Sequence, residues 1–244
     1  MVASDSDVAR SVRDFYSDLK FPGTYTLKDL AHSDDHITNP YLKFYDRVCG
    51  GANSVLDVGC GSGYITNWLA RRHPRCEFTA VDFSDAVWWG QQFAHDHGLA
   101  NTRWIQRDVC EWQPDRQWDL IICVGVMHHM PQPQRWYSRV PEWLTGSGRM
   151  VLGVYNTWGH WGRSWWPVKW PNQMLHCDQE MVPYHRTYRD HEVRAVFAQW
   201  QIHRVWPSWR NHWVDWMNIT RRYQAGLTLY EMQPGSRRRN RVKR

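Results

Sequence analysis

Three acidic residues, a glycine-rich turn and a pair of histidines stand at the ends of apolar runs in this 244-residue chain. Ser54-Val55-Leu56-Asp57-Val58 leads into Gly59-Cys60-Gly61-Ser62-Gly63 and then Tyr64-Ile65-Thr66, the pattern of a strand, a tight turn and a helix. Glycine at alternate positions permits positive φ and lets a ligand approach main chain that a Cβ would shield. The first N–H groups of the helix then face that ligand. The spacing is not that of a pyrophosphate cradle, because Tyr64 and Ile65 follow Gly63 where G-x-G-x-x-G needs its last glycine. Glycine-rich turns also arise for local reasons, so this one by itself names no ligand.

The other candidates follow in order. Asp82 ends the apolar run Cys76 to Ser84, where an acid at a second strand tip can accept both hydroxyls of a ribose lying over the glycines; a helix-capping acid is the plain alternative. Ser84-Asp85 is set to cap a helix reaching about His97. A third strand, Thr102 to Gln106, precedes Asp108-Val109, an acid for an adenine amino group beside an apolar contact for the ring. Three successive strand tips of this kind match the crevice where open α/β sheets bind ligands. Trp118 to Val124 is apolar throughout, as a central strand buried on both faces requires. It ends in Gly125-Val126-Met127-His128-His129, and an imidazole there could take a proton from a hydroxyl or amine. Histidines that merely start a helix are the alternative.

Around these residues the periodicity predicts a helix over 4–19 stopped by Phe21-Pro22-Gly23, mixed polar chain over 24–40, and a short helix over 41–48. Tyr16, Phe21 and Tyr25 from this segment could close a ligand in. Further on, a helix is expected over 133–144, a turn at Gly146-Ser147-Gly148, strands over 149–155, 201–206 and 227–232, and a helix from Tyr188 to about Trp200. Residues 156–187 are rich in Trp, His and Pro and too irregular for one element; Asn156, His160, His185 and Arg186 are their candidates for substrate contact, with a purely structural role as the alternative.

Composition narrows the class. Six of the last eight residues are basic, and without them 24 basic side chains face 24 acidic ones, so the net charge of +6 belongs to the tail. Such a tail is a solvated end or a non-specific hold on RNA or another polyanion. Six scattered cysteines without C-x-x-C spacing suit reduced thiols, and no run of 18 apolar residues or signal-like N-terminus appears, so a cytoplasmic protein without a membrane partner is expected. The 18 tryptophans suit core packing or an aromatic pocket for a flat or cationic substrate.

Val55 to Thr66, Val81 to Ser84, Asp108-Val109 and Trp118 to Met130 together resemble the successive motifs of class I S-adenosylmethionine-dependent methyltransferases, most closely the small-molecule enzymes of ubiquinone and menaquinone biosynthesis. Phe15-Tyr16 followed by Phe21-Pro22 is similar to the entry segment of some bacterial members. The resemblance implies an α/β fold: a Rossmann-like, doubly wound, mostly parallel seven-stranded sheet with an antiparallel last strand. An N-terminal helical cap (1–50) would precede the methyltransferase domain (51–232), with a lid-like insertion (156–187) after the fifth strand and a basic, disordered tail (233–244). It implies S-adenosylmethionine as cofactor, held by Tyr16, Asp57, Gly59, Cys60, Gly61, Gly63, Asp82, Phe83, Ser84, Asp108, Val109, Val124 and Gly125. His128 or His129 would be the base, and the acceptor a small molecule contacted by Tyr25 and the insertion. In metal-dependent RNA ribose methyltransferases the turn after the fourth strand reads E-x-x-E-H; here Gly125 and His128 replace the two acids, so no metal is expected. An RNA or protein methyltransferase, a nicotinamide-dependent enzyme and a non-catalytic cofactor-binding module are the rival readings, and either a monomer or a homodimer is compatible.

Overall fold

The computed structural model describes residues 4–35, 40–155, 157, 182–206 and 227–235. Seven strands form one sheet in the order β3-β2-β1-β4-β5-β7-β6. They are β1 (Ser54–Val58), β2 (Glu77–Asp82), β3 (Thr102–Gln106), β4 (Trp118–Val124), β5 (Leu144–Tyr155), β6 (Trp200–Trp206) and β7 (Leu227–Pro234). The first five are parallel, and β7 lies antiparallel between β5 and β6. Strand order reverses between β1 and β4, so their carboxyl ends diverge and leave a crevice.

Side chains alternate along the central strands because both faces are covered. Val55, Leu120 and Ile122 point into a core shared with α3 (Pro40–Cys49) and α4 (Tyr64–Arg72), with Leu30 from α2 (Leu27–Asp35) and Phe93 from α5 (Ala86–Asp96). Leu56, Val58, Ile121 and Cys123 point into the opposite core, which α6 (Gln134–Tyr137), α7 (Val140–Trp143) and α8 (Asp190–Val196) close with Trp136, Trp143 and Val193. Trp68, Trp118, Trp136 and Trp143 are buried core residues, which is the packing role among the described tryptophans; Trp88 is exposed. The clusters over 158–170 and 209–216 and the basic residues 237–244 lie outside the described residues.

Five local expectations need correction. The polar segment 24–40 contains α2, started by a reciprocal pair in which Thr26 N–H donates to Asp29 Oδ2 (2.7 Å) and Asp29 N–H to Thr26 Oγ1 (3.3 Å). The helix over 133–144 is two short ones, because Pro141 lacks the N–H that an interior position would use and stands in the first turn of α7 instead. Gly146 to Gly148 run within β5 rather than forming a turn; the ladder to β4 shifts register there, where a Cβ on Gly148 would stand 2.9 Å from the Trp118 carbonyl oxygen. Strand β7 continues to Pro234, two residues beyond its expected end, and α8 spans only part of the expected helix.

Helix α1 (Asp5–Leu19) begins at Ser4, whose hydroxyl accepts from Asp7 N–H, and carries the chain to the mouth of the crevice. On the α5 side, Trp104 of β3 fills the space over Gly63 and Gly90. A Cβ on Gly90 would lie 2.5 Å from Trp104 Cζ3 and 2.8 Å from the Ser62 carbonyl oxygen. Gly90→Ala should lower the urea midpoint at unchanged m-value, a loss of about 1–3 kcal/mol from overpacking; a variant as stable as the parent contradicts this packing.

Candidate active site at the carboxyl ends of the central strands

The turn after β1 uses its main-chain donors within the protein. Gly59 and Cys60 N–H both donate to the Val81 carbonyl (2.7 and 3.2 Å), Ser62 N–H to the Phe21 carbonyl (2.8 Å), and Gly63 N–H to the Cys60 carbonyl (2.9 Å). Gly61 N–H donates to Asp82 Oδ2 (2.8 Å). All five amides from Gly59 to Gly63 are therefore engaged. The glycines are required by protein neighbours: Val126 stands over Gly59, Trp104 over Gly63, and a Cβ on Gly61 would fall 2.2 Å from the Phe21 oxygen.

Ser62, fully buried, holds the N-terminal segment over this turn at three points. Besides its amide bond to Phe21, its hydroxyl donates to the Gly23 carbonyl (2.7 Å) and its carbonyl accepts from the Tyr25 hydroxyl (3.0 Å). Tyr25 also accepts from Asn67 Nδ2 (2.7 Å), and its ring packs against Tyr64, Trp89 and Phe93. It is thus a buried anchor of the segment. Alternation of residues along 21, 23 and 25 carried no apolar period, so the clamp on Ser62 left no signal in the sequence.

Two buried carboxylates flank the turn. Asp82 accepts from Gly61 N–H on one oxygen and from Ser84 N–H (2.8 Å) and O–H (2.6 Å) on the other. Ser84 is spent on Asp82; the N-cap of α5 is Asp85, which makes no side-chain capping bond. Asp57 projects beneath the first turn of α4, where the Thr66 hydroxyl donates to it (2.6 Å). Burial pushes its carboxyl up to about 6, partly countered by Thr66 and reinforced by the charge of Asp82, which burial also raises. Burial likewise drives the Cys60 thiol well above its ordinary range, so no nucleophilic thiolate stands in the turn.

Toward β3, Asp108 accepts from Cys110 N–H (2.8 Å) through Oδ1, Val109 is buried, and Phe83 is half-buried, its carbonyl accepting from Gln106 Nε2 (3.4 Å). On the other side of the crevice β4 ends at the half-buried Val124 and at Gly125, whose φ is +81°. A 3-10 turn, Met127–His129, follows. His128 is fully buried; its Nδ1 accepts from Tyr155 N–H (3.3 Å) and its ring stacks on Tyr155 with centroids 3.6 Å apart. His129 reaches Tyr16 of α1, with Tyr16 Oη and His129 Nε2 3.0 Å apart, and its Nδ1 lies 2.9 Å from the Tyr184 carbonyl oxygen. His185 meets the edge of Tyr155 at 6.4 Å, whereas Arg186 turns its guanidinium to Glu192 and over Tyr188, giving the site its backbone N–H on the His128 carbonyl (2.8 Å). Asn156 and His160 lie outside the described residues. Among the described residues no three His, Cys, Asp or Glu side chains group as a metal site, and no helix is long and apolar enough to cross a membrane.

Residues 56–150 match the family model described as a methyltransferase domain. That segment of the chain, residues 56–150, is a class I S-adenosylmethionine-dependent methyltransferase domain. The chain is 27% identical over 146 residues, 58% of this chain and 41% of the relative, to a probable (S)-tetrahydroprotoberberine N-methyltransferase of Papaver bracteatum. It is 24% identical over 109 residues to malonyl-[acyl-carrier protein] O-methyltransferase of Anoxybacillus flavithermus, covering 45% of this chain and 41% of that protein. The chain thus spans about two-fifths of the length of these curated relatives. Among solved structures, Burkholderia thailandensis 1,6-didemethyltoxoflavin-N1-methyltransferase, solved with S-adenosylhomocysteine, superposes with a TM-score of 0.63 at 16% identity over 96% of this chain and 92% of that one. Magnesium protoporphyrin IX methyltransferase of Synechocystis PCC 6803, solved with S-adenosylmethionine, gives 0.59 at 16% identity, covering 95% and 97%. These last two likenesses are of fold.

The raised Asp57 carboxyl has a stability consequence. A carboxyl that holds its proton more tightly folded than unfolded stabilises the fold at low pH and loses that contribution as pH rises through about 6. Asp57→Asn should therefore gain on the parent between about pH 4 and about pH 7, by up to about 3 kcal/mol, in paired urea unfolding; a parent-to-variant difference that stays flat with pH contradicts the assignment.

Proposed function

We propose that this chain transfers the methyl group of S-adenosylmethionine to a nucleophile on a small molecule. One observation carries the reading: every amide of the Gly59–Gly63 turn is already engaged, while two buried carboxylates, Asp57 and Asp82, flank it. Such a turn repels a pyrophosphate and attracts a ligand that carries cationic and hydroxyl groups, as the ammonium, sulfonium and ribose of S-adenosylmethionine do. A nicotinamide dinucleotide would set its pyrophosphate against these two carboxylates.

In this reading Asp82 exchanges its bonds to Gly61 and Ser84 for ribose hydroxyls, Asp57 supplies counter-charge near the methionine end, and Phe83, Asp108 and Val109 border the adenine. Tyr16 and Phe21 cover the crevice and exclude water. The sulfonium makes the methyl carbon electrophilic, so the chain's own task is to align the acceptor and accept its proton. The imidazole and phenol rings of His129, Tyr155, His185 and Tyr16 suit a compact, flat or amine-bearing acceptor. The names of the relatives above, N- and O-methyltransferases of small molecules or of a carrier-bound malonyl group, support that class.

Calorimetric titration with S-adenosylhomocysteine tests the cofactor half. The parent should bind, Asp82→Asn should bind at least about tenfold more weakly while circular dichroism shows it folded, and affinity should tighten from about pH 5 to about pH 7 as Asp57 ionises. Binding of NAD in place of S-adenosylhomocysteine, or equal affinity in folded Asp82→Asn, contradicts the proposal. Transfer from methyl-deuterated S-adenosylmethionine to a panel of phenols and secondary amines, read by mass spectrometry, tests the acceptor half; label appearing in RNA or protein and in none of the panel contradicts it.

A further inference from the structure

The hydrogen bonds of His129 define which atom can exchange a proton with an acceptor. The Tyr184 carbonyl can only accept, so His129 Nδ1 carries a proton and donates to it across 2.9 Å. A neutral His129 then has its lone pair on Nε2, and that nitrogen is 3.0 Å from the Tyr16 hydroxyl, which must be the donor. His129 is only 5% exposed, while Tyr16 is half-buried at the mouth of the crevice, its ring edge-on to Phe21 at 6.3 Å. The segment carrying Tyr184 is fixed to the same turn by Arg186 N–H on the His128 carbonyl, which holds the imidazole in one tautomer.

We propose that Tyr16 and His129 form a proton relay in which Tyr16 is the member that faces the acceptor; this rests on the methyltransferase reading above. The acceptor's X–H proton passes to Tyr16 Oη as the proton of Tyr16 passes to His129 Nε2, leaving an imidazolium still bonded to the Tyr184 carbonyl. The electron pair left on X forms the new bond to the methyl carbon, and the pair of the broken carbon–sulfur bond stays on sulfur, which becomes a neutral thioether. The imidazolium returns its proton to solvent through Tyr16 after product leaves. The substrate class is therefore an acceptor that must shed a proton, a phenol or an ammonium. Among the described residues, the titratable groups facing His129 include Tyr16 from α1, His128 beside it (centroids 4.3 Å), Tyr155 from β5 (5.8 Å), and, across Tyr155, His185. His128 is the positioning neighbour: its Nδ1 is taken by Tyr155 N–H, so its proton sits on Nε2.

The test uses the full chain, labelled with ¹⁵N-histidine and saturated with S-adenosylhomocysteine, as parent, Tyr16→Phe and His129→Gln. The relay predicts a neutral His129 protonated on Nδ1 and a change at its Nε2 resonance in Tyr16→Phe. With catechol and N-methylbenzylamine as phenol and amine probes, Tyr16→Phe should lower kcat by about 100-fold or more and lose the acidic limb of the kcat–pH profile, as should His129→Gln. His129→Gln should hold S-adenosylhomocysteine within about twofold of the parent's affinity, and Tyr16→Phe, which keeps its ring over the crevice, within about tenfold. A proton on Nε2 of His129, or a Tyr16→Phe variant with the parent's kcat and pH profile, overturns the relay. A more than tenfold loss of S-adenosylhomocysteine affinity in Tyr16→Phe also overturns it, by making Tyr16 a cofactor-holding residue. Failure of the parent itself to bind S-adenosylhomocysteine would defeat the underlying methyltransferase reading instead, while leaving the tautomer measurement intact.

Discussion

The carboxylate of Asp82 ties together the two turns on which the crevice depends. From the end of β2 it accepts one hydrogen bond from the main chain of the β1 turn and two from Ser84, and it does so while 7% exposed. A buried acid is tolerated only when its oxygens are satisfied. Gly61 and Ser84 meet that requirement in the structure, and ribose hydroxyls would meet it in the proposed complex. One residue thus shapes the turn and, in the proposed complex, would read the ligand.

A second constraint acts from the N-terminus. Phe21, Gly23 and Tyr25 all bond to Ser62, while Tyr16 crosses to His129 beyond β4. The segment therefore bridges the turns on both sides of the strand-order reversal. The glycine turn and His129 are thus coupled through a piece of chain far from both in sequence.

Local signals made much of this legible in the sequence. The limits of β3 and β4 are those expected, α4 begins at Tyr64 directly after the glycine turn, and that turn, Asp82 and Asp108 lie at consecutive strand tips because period and punctuation are properties of a few neighbouring residues. The start of α2 was equally local, in Thr26-Leu27-Lys28-Asp29, but its polar composition hides it among loop residues. What could not be read is what depends on distant partners. The Tyr16–His129 pair is separated by 113 positions, and the residues that require glycine at positions 59, 61 and 63 are Val126, Phe21 and Trp104. Those protein neighbours supply the local reason for the glycines that the sequence left open beside a ligand.

A co-crystal structure with S-adenosylhomocysteine tests the central claim most directly. The account predicts the ligand in the crevice between the β1 and β4 turns, with Asp82 released from Gly61 or Ser84 and within hydrogen-bond reach of the ribose hydroxyls. Density for the ligand at another part of the surface, or in the crevice with Asp82 still bonded to Gly61 and Ser84 and out of reach of the ribose, would contradict it.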